Sequence, residues 1–177
     1  MPRDTVWVDE TYISDTDLSK GYGQARKRGL SRQKLCICAA IDINKNPVAV
    51  VCGHGKPSSA RMRKAMGRRI APGSPLIYDL KHAHSMLVRY GWLESEARMA
   101  DVNDPVCLER MEMVNDLCSW LKRYLWRFTG MSPQNLQAHL DWYVYLFRVN
   151  QARDRWDPTE RMACHILVDD VTYRCLG

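Results

Sequence analysis

The chain lacks the features that define several protein classes. No run of apolar residues approaches the length needed to cross a bilayer as a helix. The opening Met1-Pro2-Arg3-Asp4 leads straight into a strand-like segment, without the apolar stretch of a secretion signal. A cytoplasmic protein with no membrane partner is therefore expected. The seven cysteines, at positions 36, 38, 52, 107, 118, 164 and 175, include no C-x-x-C pair, which argues against a zinc ribbon. Cys36 and Cys38 alternate within an apolar run and fit reduced core thiols better than disulfides. Internal repeats and low-complexity segments are absent. What remains is an ordinary globular composition: 177 residues, 46% hydrophobic, enough for one domain with a sizeable core.

Charge is the first positive signal. The net charge is +6, which suits a polyanionic partner without requiring one. Its placement says more. One cluster comprises Lys20, Arg26, Lys27, Arg28, Arg32 and Lys34; a second comprises Arg61, Arg63, Lys64, Arg68 and Arg69; a third comprises Lys122, Arg123 and Arg127. Each has a plain reading as solubilising surface. Three in one small domain favour contact with a phosphate backbone, with Arg26, Lys27, Arg28, Arg61, Lys64, Arg68 and Arg123 as the candidate DNA contacts.

The patterning alternates between strand and helix signals. Val6 to Ile13 interleaves β-branched and aromatic residues and reads as a strand, followed by a long polar, basic loop over 14–33. Leu35–Ile41 and Val48–Cys52 are continuous apolar runs around the turn signal Asp42-Ile43-Asn44-Lys45-Asn46-Pro47, which predicts a hairpin buried on both faces. Pro57-Ser58-Ser59 caps a basic helix reaching about Ile70. Leu76-Ile77-Tyr78 is a short strand ending in Asp79, and a helix is expected over His82–Tyr90. No strand can be placed between Gly91 and Pro105. A long helix is expected over about Val106–Phe128, with Met113, Leu117, Trp120, Leu121, Tyr124 and Phe128 as its core stripe. Ser132-Pro133 starts another helix, buried through Leu136, Leu140, Tyr143, Val144 and Phe147, and Asp157-Pro158-Thr159-Glu160 starts a last one.

Two aspartates, Asp9 and Asp79, close separate apolar strands. A single aspartate there is usually a turn former. On neighbouring strands, two can share divalent cations, because Mg²⁺ takes hard oxygen ligands and keeps several waters. The long helix adds Glu112, Asn115, Ser119 and Lys122 on its polar side, with Asn115 and Lys122 nearly eclipsed about 10 Å apart. That side reads as a solvated helix face or as the third wall of a metal site. Trp126 extends it and could stack on a base.

These stretches, taken in order, resemble the catalytic domain of bacterial insertion-sequence transposases, in the branch with an Asp-Asp-Asn-Lys signature. The matching pieces are Val6-Trp7-Val8-Asp9-Glu10-Thr11-Tyr12, Arg28-Gly29-Leu30-Ser31 leading into Cys36–Asp42, Leu76-Ile77-Tyr78-Asp79, Asn115-x₆-Lys122, and Phe128–Ser132 with Leu136, Leu140 and Trp142. The resemblance implies an α/β, ribonuclease-H-like mixed sheet: three antiparallel strands, then a parallel one, with helices packed on it. It implies a core over about 5–150 and a helical extension over 151–177. It further implies Asp9, Asp79 and Asn115 as ligands of a two-ion Mg²⁺ site that also accepts Mn²⁺, with Lys122 on the phosphate. Glu112, one turn before Asn115 on the same helix face, is an alternative third carboxylate. The reaction would be phosphodiester hydrolysis and strand transfer on double-stranded transposon ends and target. The protein would be a homo-oligomer when assembled on DNA and nucleoid-associated when bound. The family's usual N-terminal DNA-reading region has no counterpart in the eight residues before Asp9, so an inactive, truncated DNA-binding remnant is the alternative.

Overall fold

Val6–Ser14 forms the first strand, β1, and its alternation divides the molecule into two layers. The computed structural model describes residues 1–14, 34–79, 95–98, 105–128, 131–151, 157–160 and 162–163. Lys34–Asp42 (β2) runs antiparallel to β1, and Pro47–His54 (β3) runs antiparallel to β2. Leu76–Asp79 (β4) joins the other side of β1 in parallel, and Ser95–Arg98 (β5) extends the sheet, parallel to β4. The order is β3-β2-β1-β4-β5. This is the α/β, ribonuclease-H-like arrangement that the resemblance implies, with a second parallel strand, β5, added beyond β4. β5 is the one strand the sequence conceals: Ser-Glu-Ala-Arg has no apolar pattern, and its place beyond β4 in the sheet supplies the pairing.

The continuous apolar run of β2 follows from its position inside the sheet with both faces covered. Cys36, Cys38 and Ala40 meet Val6, Val8, Val50, Cys52 and Tyr78 beneath the helix Ser59–Met66 (α1), which contributes Met62, Ala65 and Met66. Leu35, Ile37, Ala39 and Ile41 face the other way, onto Pro105–Leu125 (α2) and Leu136–Gln151 (α3). Each fully buried Ile or Leu, such as Ile37, Leu117 and Leu121, contributes about 1.5–3 kcal/mol through removal from water. The cysteines at 36, 38, 52 and 118 are buried in these cores and are not joined in disulfides. Ser58 caps α1, as expected, by accepting from the Arg61 amide, but the helix stops at Met66. From there the chain turns, and Arg69 N bonds Met66 O, so Ile70 reaches the core from a turn.

The buried stripe of α2 is displaced by about a quarter turn from the expected one. Met111, Val114, Leu117, Cys118, Leu121 and Leu125 are buried, whereas Trp120 is 44% exposed and Phe128 is also exposed. The expected set gave weight to the largest side chains, and these line the flank toward α3: Trp120 meets Phe147, Tyr124 meets Tyr143, and Phe128 meets His139. The smaller Val114, Cys118 and Leu121 serve the sheet. In α3 the buried residues are Leu136, Leu140, Tyr143, Phe147 and Val149. The expected helix over 82–90 and the expected basic loop over 14–33 lie outside the described residues, except Ser14, which ends β1, and so does most of the extension beyond residue 151.

Two polar devices fix the ends of this framework. The Asp42 carboxylate is fully buried at the hairpin turn, where it accepts from Arg3 N (3.0 Å), Asn46 N (2.8 Å) and Asn46 Nδ2 (2.9 Å). On the outer edge of β3, the Gln137 amide of α3 behaves like a neighbouring strand. Its Oε1 accepts from Val51 N (2.9 Å) and its Nε2 donates to Ala49 O (3.2 Å). Arg148 donates to Pro47 O (3.1 Å) farther along the same edge.

Asp42→Ala strands three donors at the turn and is expected to cost about 2–4 kcal/mol in urea unfolding. Tyr143 has a buried hydroxyl with no hydrogen-bond partner among the described residues, and burial pushes its pKa up to about 12. A pKa raised on folding means that the stabilising effect is whole below about pH 10 and is lost as the pH rises toward 12. Tyr143→Phe is therefore expected to hold or gain up to about 1 kcal/mol at pH 7 and to weaken the alkaline fall in unfolding midpoint.

Candidate functional site

The pairing of β1 with β4 brings the two aspartates together along the backbone: Asp79 ends β4 as expected, whereas Asp9 lies inside β1, because the strand continues to Ser14. The register matches Val6 with Leu76, Trp7 with Ile77 and Val8 with Tyr78. Asp9 and Asp79 are each the next residue, so they occupy neighbouring positions on adjacent parallel strands, about 5 Å apart at the main chain. Their parity is that of Trp7 and Ile77, which pack into the α2 and α3 core. Asp9 is half-buried and pairs in register with Ala39 on its other side. Thr11, which the sequence reading passed over, has the same parity two residues on. It is 3% exposed, and its Oγ1 has no hydrogen-bond partner among the described residues.

α2 lies across β1 and β2 on this same face of the sheet. Asn115 and Lys122 are exposed and lie seven residues apart on one flank of the helix. At 100° per residue they sit within about 90° of the buried stripe, beside the sheet rather than directly away from it. Glu112 is rotated a further ~60° outward and is exposed. Helix geometry therefore favours the amide over Glu112 as the group turned toward the sheet. Trp126 follows the last turn of α2 on the Lys122 side and is 86% exposed.

Among the described residues, the basic candidates are dispersed over the fold, and Arg26, Lys27 and Arg28 lie outside those residues. Lys64 is exposed on α1, on the face of the sheet opposite Asp9, and Arg68, past the end of α1, lines a pocket at the β3 edge with Asp141 and Arg148 of α3. Arg61, expected among the phosphate contacts, is instead part of the framework. Its guanidinium donates to the carbonyls of Cys52, His54 (3.0 Å) and Lys56 (3.5 Å), and it packs against Gly53 where that residue's φ is +85°. An arginine fork can donate to several main-chain carbonyls at once, and the end of β3 presents them within its reach. Arg123 is exposed on the outer side of α2, about 100° around the helix from Lys122.

The candidate residues on β1, β4 and α2 carry oxygen donors, two carboxylates and one amide, a donor type that suits Mg²⁺ or Mn²⁺ and not a soft metal. Among the described residues no three His, Cys, Asp or Glu side chains stand together as a ligand set. The Asp79 side chain is outside that description and Asn115 is an amide, so this set is of a different kind. Asp9 and Asp79 could hold the ions, with the Asn115 carbonyl as a weaker third ligand.

No protein-family model matches the chain, and no curated protein matches it. Among solved structures it is similar to a chain of the simian T-cell lymphotropic virus intasome in complex with the PP2A regulatory subunit B56 gamma, with a TM-score of 0.51 at 10% identity. The match covers 79% of this chain and 48% of that one, so this chain spans about half the length of the intasome chain. At that identity the likeness is one of fold, and the fold is the ribonuclease-H-like one read from the strand order.

Proposed function

We propose that this chain is the catalytic core of a metal-dependent DNA strand transferase, of the insertion-sequence transposase kind with an Asp-Asp-Asn-Lys site. The observation that carries the reading is the β1–β4 register, which makes Asp9 and Asp79 backbone neighbours on adjacent parallel strands. The likeness of fold to an intasome chain adds support at the level of architecture.

In this reading Asp9 and Asp79 would hold divalent ions and Asn115 would complete or orient the set. Bound ions of this kind stabilise the attacking and leaving oxygens of an in-line phosphodiester displacement. Lys122 offsets negative charge building on the phosphoryl oxygens, an effect that is strongest where water is excluded. In hydrolysis a water oxygen bonds to phosphorus while the bond to the 3′ oxygen breaks, which frees a 3′ hydroxyl. In strand transfer that hydroxyl attacks a target phosphate and displaces another 3′ oxygen. Rigid strands under two of the three ligands suit a reaction that depends on positioning. The partner is double-stranded DNA, with oligomerisation on it.

The amide at position 115 favours one rival, a domain that binds DNA without cutting it, because a neutral carbonyl holds a cation less well than a third carboxylate would.

Nicking of supercoiled plasmid with Mg²⁺ or Mn²⁺ separates the two. Activity is expected for the natural chain, loss of activity for Asp9→Ala and for Asp79→Ala, and a fall of about 10²-fold for Lys122→Ala. Undiminished nicking by both aspartate variants would remove the proposal. Salt-sensitive binding with no cleavage under either metal would establish the rival.

A further inference from the structure

The outer side of α2, directly opposite its buried stripe, carries Glu112, Asp116, Trp120, Arg123 and, just past the last turn, Arg127. These five exposed residues fall within about 80° of arc and extend about 22 Å along the axis. The signs are segregated: both acids precede Trp120 and both arginines follow it.

Two ordinary explanations leave this pattern unaccounted for. Exposed helices stabilise themselves with opposite charges at i,i+4, whereas here Glu112 stands four before Asp116 and Arg123 four before Arg127, so both spacings set like charges side by side. The helix dipole favours acids only in the first turn. The first turn of α2 holds none, and Glu112 and Asp116 lie 7 and 11 residues beyond its start at Pro105. Duplex DNA is also a poor occupant, because the acidic half would meet phosphate.

A second copy of the stripe, turned end for end, fits it. We propose that α2 pairs antiparallel with α2 of another copy of this chain about a two-fold axis beside Ser119 and Trp120. Residues whose numbers sum to 239 then face each other: Asp116 meets Arg123 of the second copy, and Glu112 meets Arg127. A two-fold axis makes each of these contacts twice, as isologous interfaces do. Trp120, 44% exposed and resting on Phe147 at a ring distance of 6.0 Å, sits at the centre, where interfaces concentrate aromatic anchors. Asn115 and Lys122 lie about 100° around the helix, so pairing leaves that flank open. The inference is independent of the strand-transfer reading, and it gives Arg123 a protein partner in place of the phosphate expected from sequence.

Sedimentation equilibrium of the full chain without DNA tests it. A dimer is expected at micromolar to submillimolar concentration, weakened by added salt because the contacts are ionic. Asp116→Arg alone, or Arg123→Asp alone, should raise the dissociation constant about tenfold or more by placing like charges across the axis twice. The double variant Asp116→Arg/Arg123→Asp should restore association to within about threefold, since the swapped charges again face their opposites. Circular dichroism confirms that each variant is folded. If either change at 116 or 123 prevents folding, the same cycle at Glu112 and Arg127 provides the readout. A monomer at every concentration, single reversals without effect, or a double swap that fails to restore pairing would overturn the proposal.

Discussion

Parallel pairing of β1 with β4 is the constraint on which the remainder of the molecule depends. Parallel neighbours cannot be joined by a tight turn, so the chain must leave the sheet and return between them. Here the path from β1 runs through the β2–β3 hairpin and α1 before β4 arrives. The detour sets the sheet order, fills one layer with α1, and leaves the other face for α2 and α3. It also brings two carboxylates seventy residues apart in sequence to adjacent backbone positions. A slip of one residue in β4 would take Asp79 out of step with Asp9.

Separation into two layers also organises the charge. Strand alternation sends Val6 and Val8 toward α1, and Trp7, with the parity of Asp9, toward α2. Basic groups that are equivalent in composition therefore take different roles. Arg61 is absorbed by the carbonyls at the end of β3, Arg148 by the edge of β3, and Lys122 stays exposed near the rim. Counting arginines says little until their acceptors are known. Main-chain carbonyls, like phosphate oxygens, accept from a guanidinium and can hold it in the framework.

Much of the fold was legible because burial leaves an imprint on sequence. The two-sided cover of β2 produced the unbroken Leu35–Ile41 run, and the hairpin turn announced itself through Asp42, Asn44, Asn46 and Pro47. Asp9 and Asp79 were conspicuous because each follows an apolar run, and their register required the strand pairing. β5 escaped notice because Ser95–Arg98 carries no apolar pattern. The quarter-turn error on α2 has a plain cause. Hydrophobic size marks Trp120, Tyr124 and Phe128 as core, but a helix touching both a sheet and another helix has two contact flanks, and the aromatics belong to the second. Thr11 gave no signal, since its burial depends on what α2 covers.

The Gln137 side chain has a consequence for how the molecule associates. A bare edge strand is adhesive, and any extended peptide can extend the sheet there. By occupying Val51 N and Ala49 O with a single amide, α3 withdraws the main chain of β3 from that market. Growth of the sheet by strand addition is thereby closed on the β3 side, and contacts between molecules on that side must be made by side chains, whose identities can be selective in a way that a repeating backbone cannot.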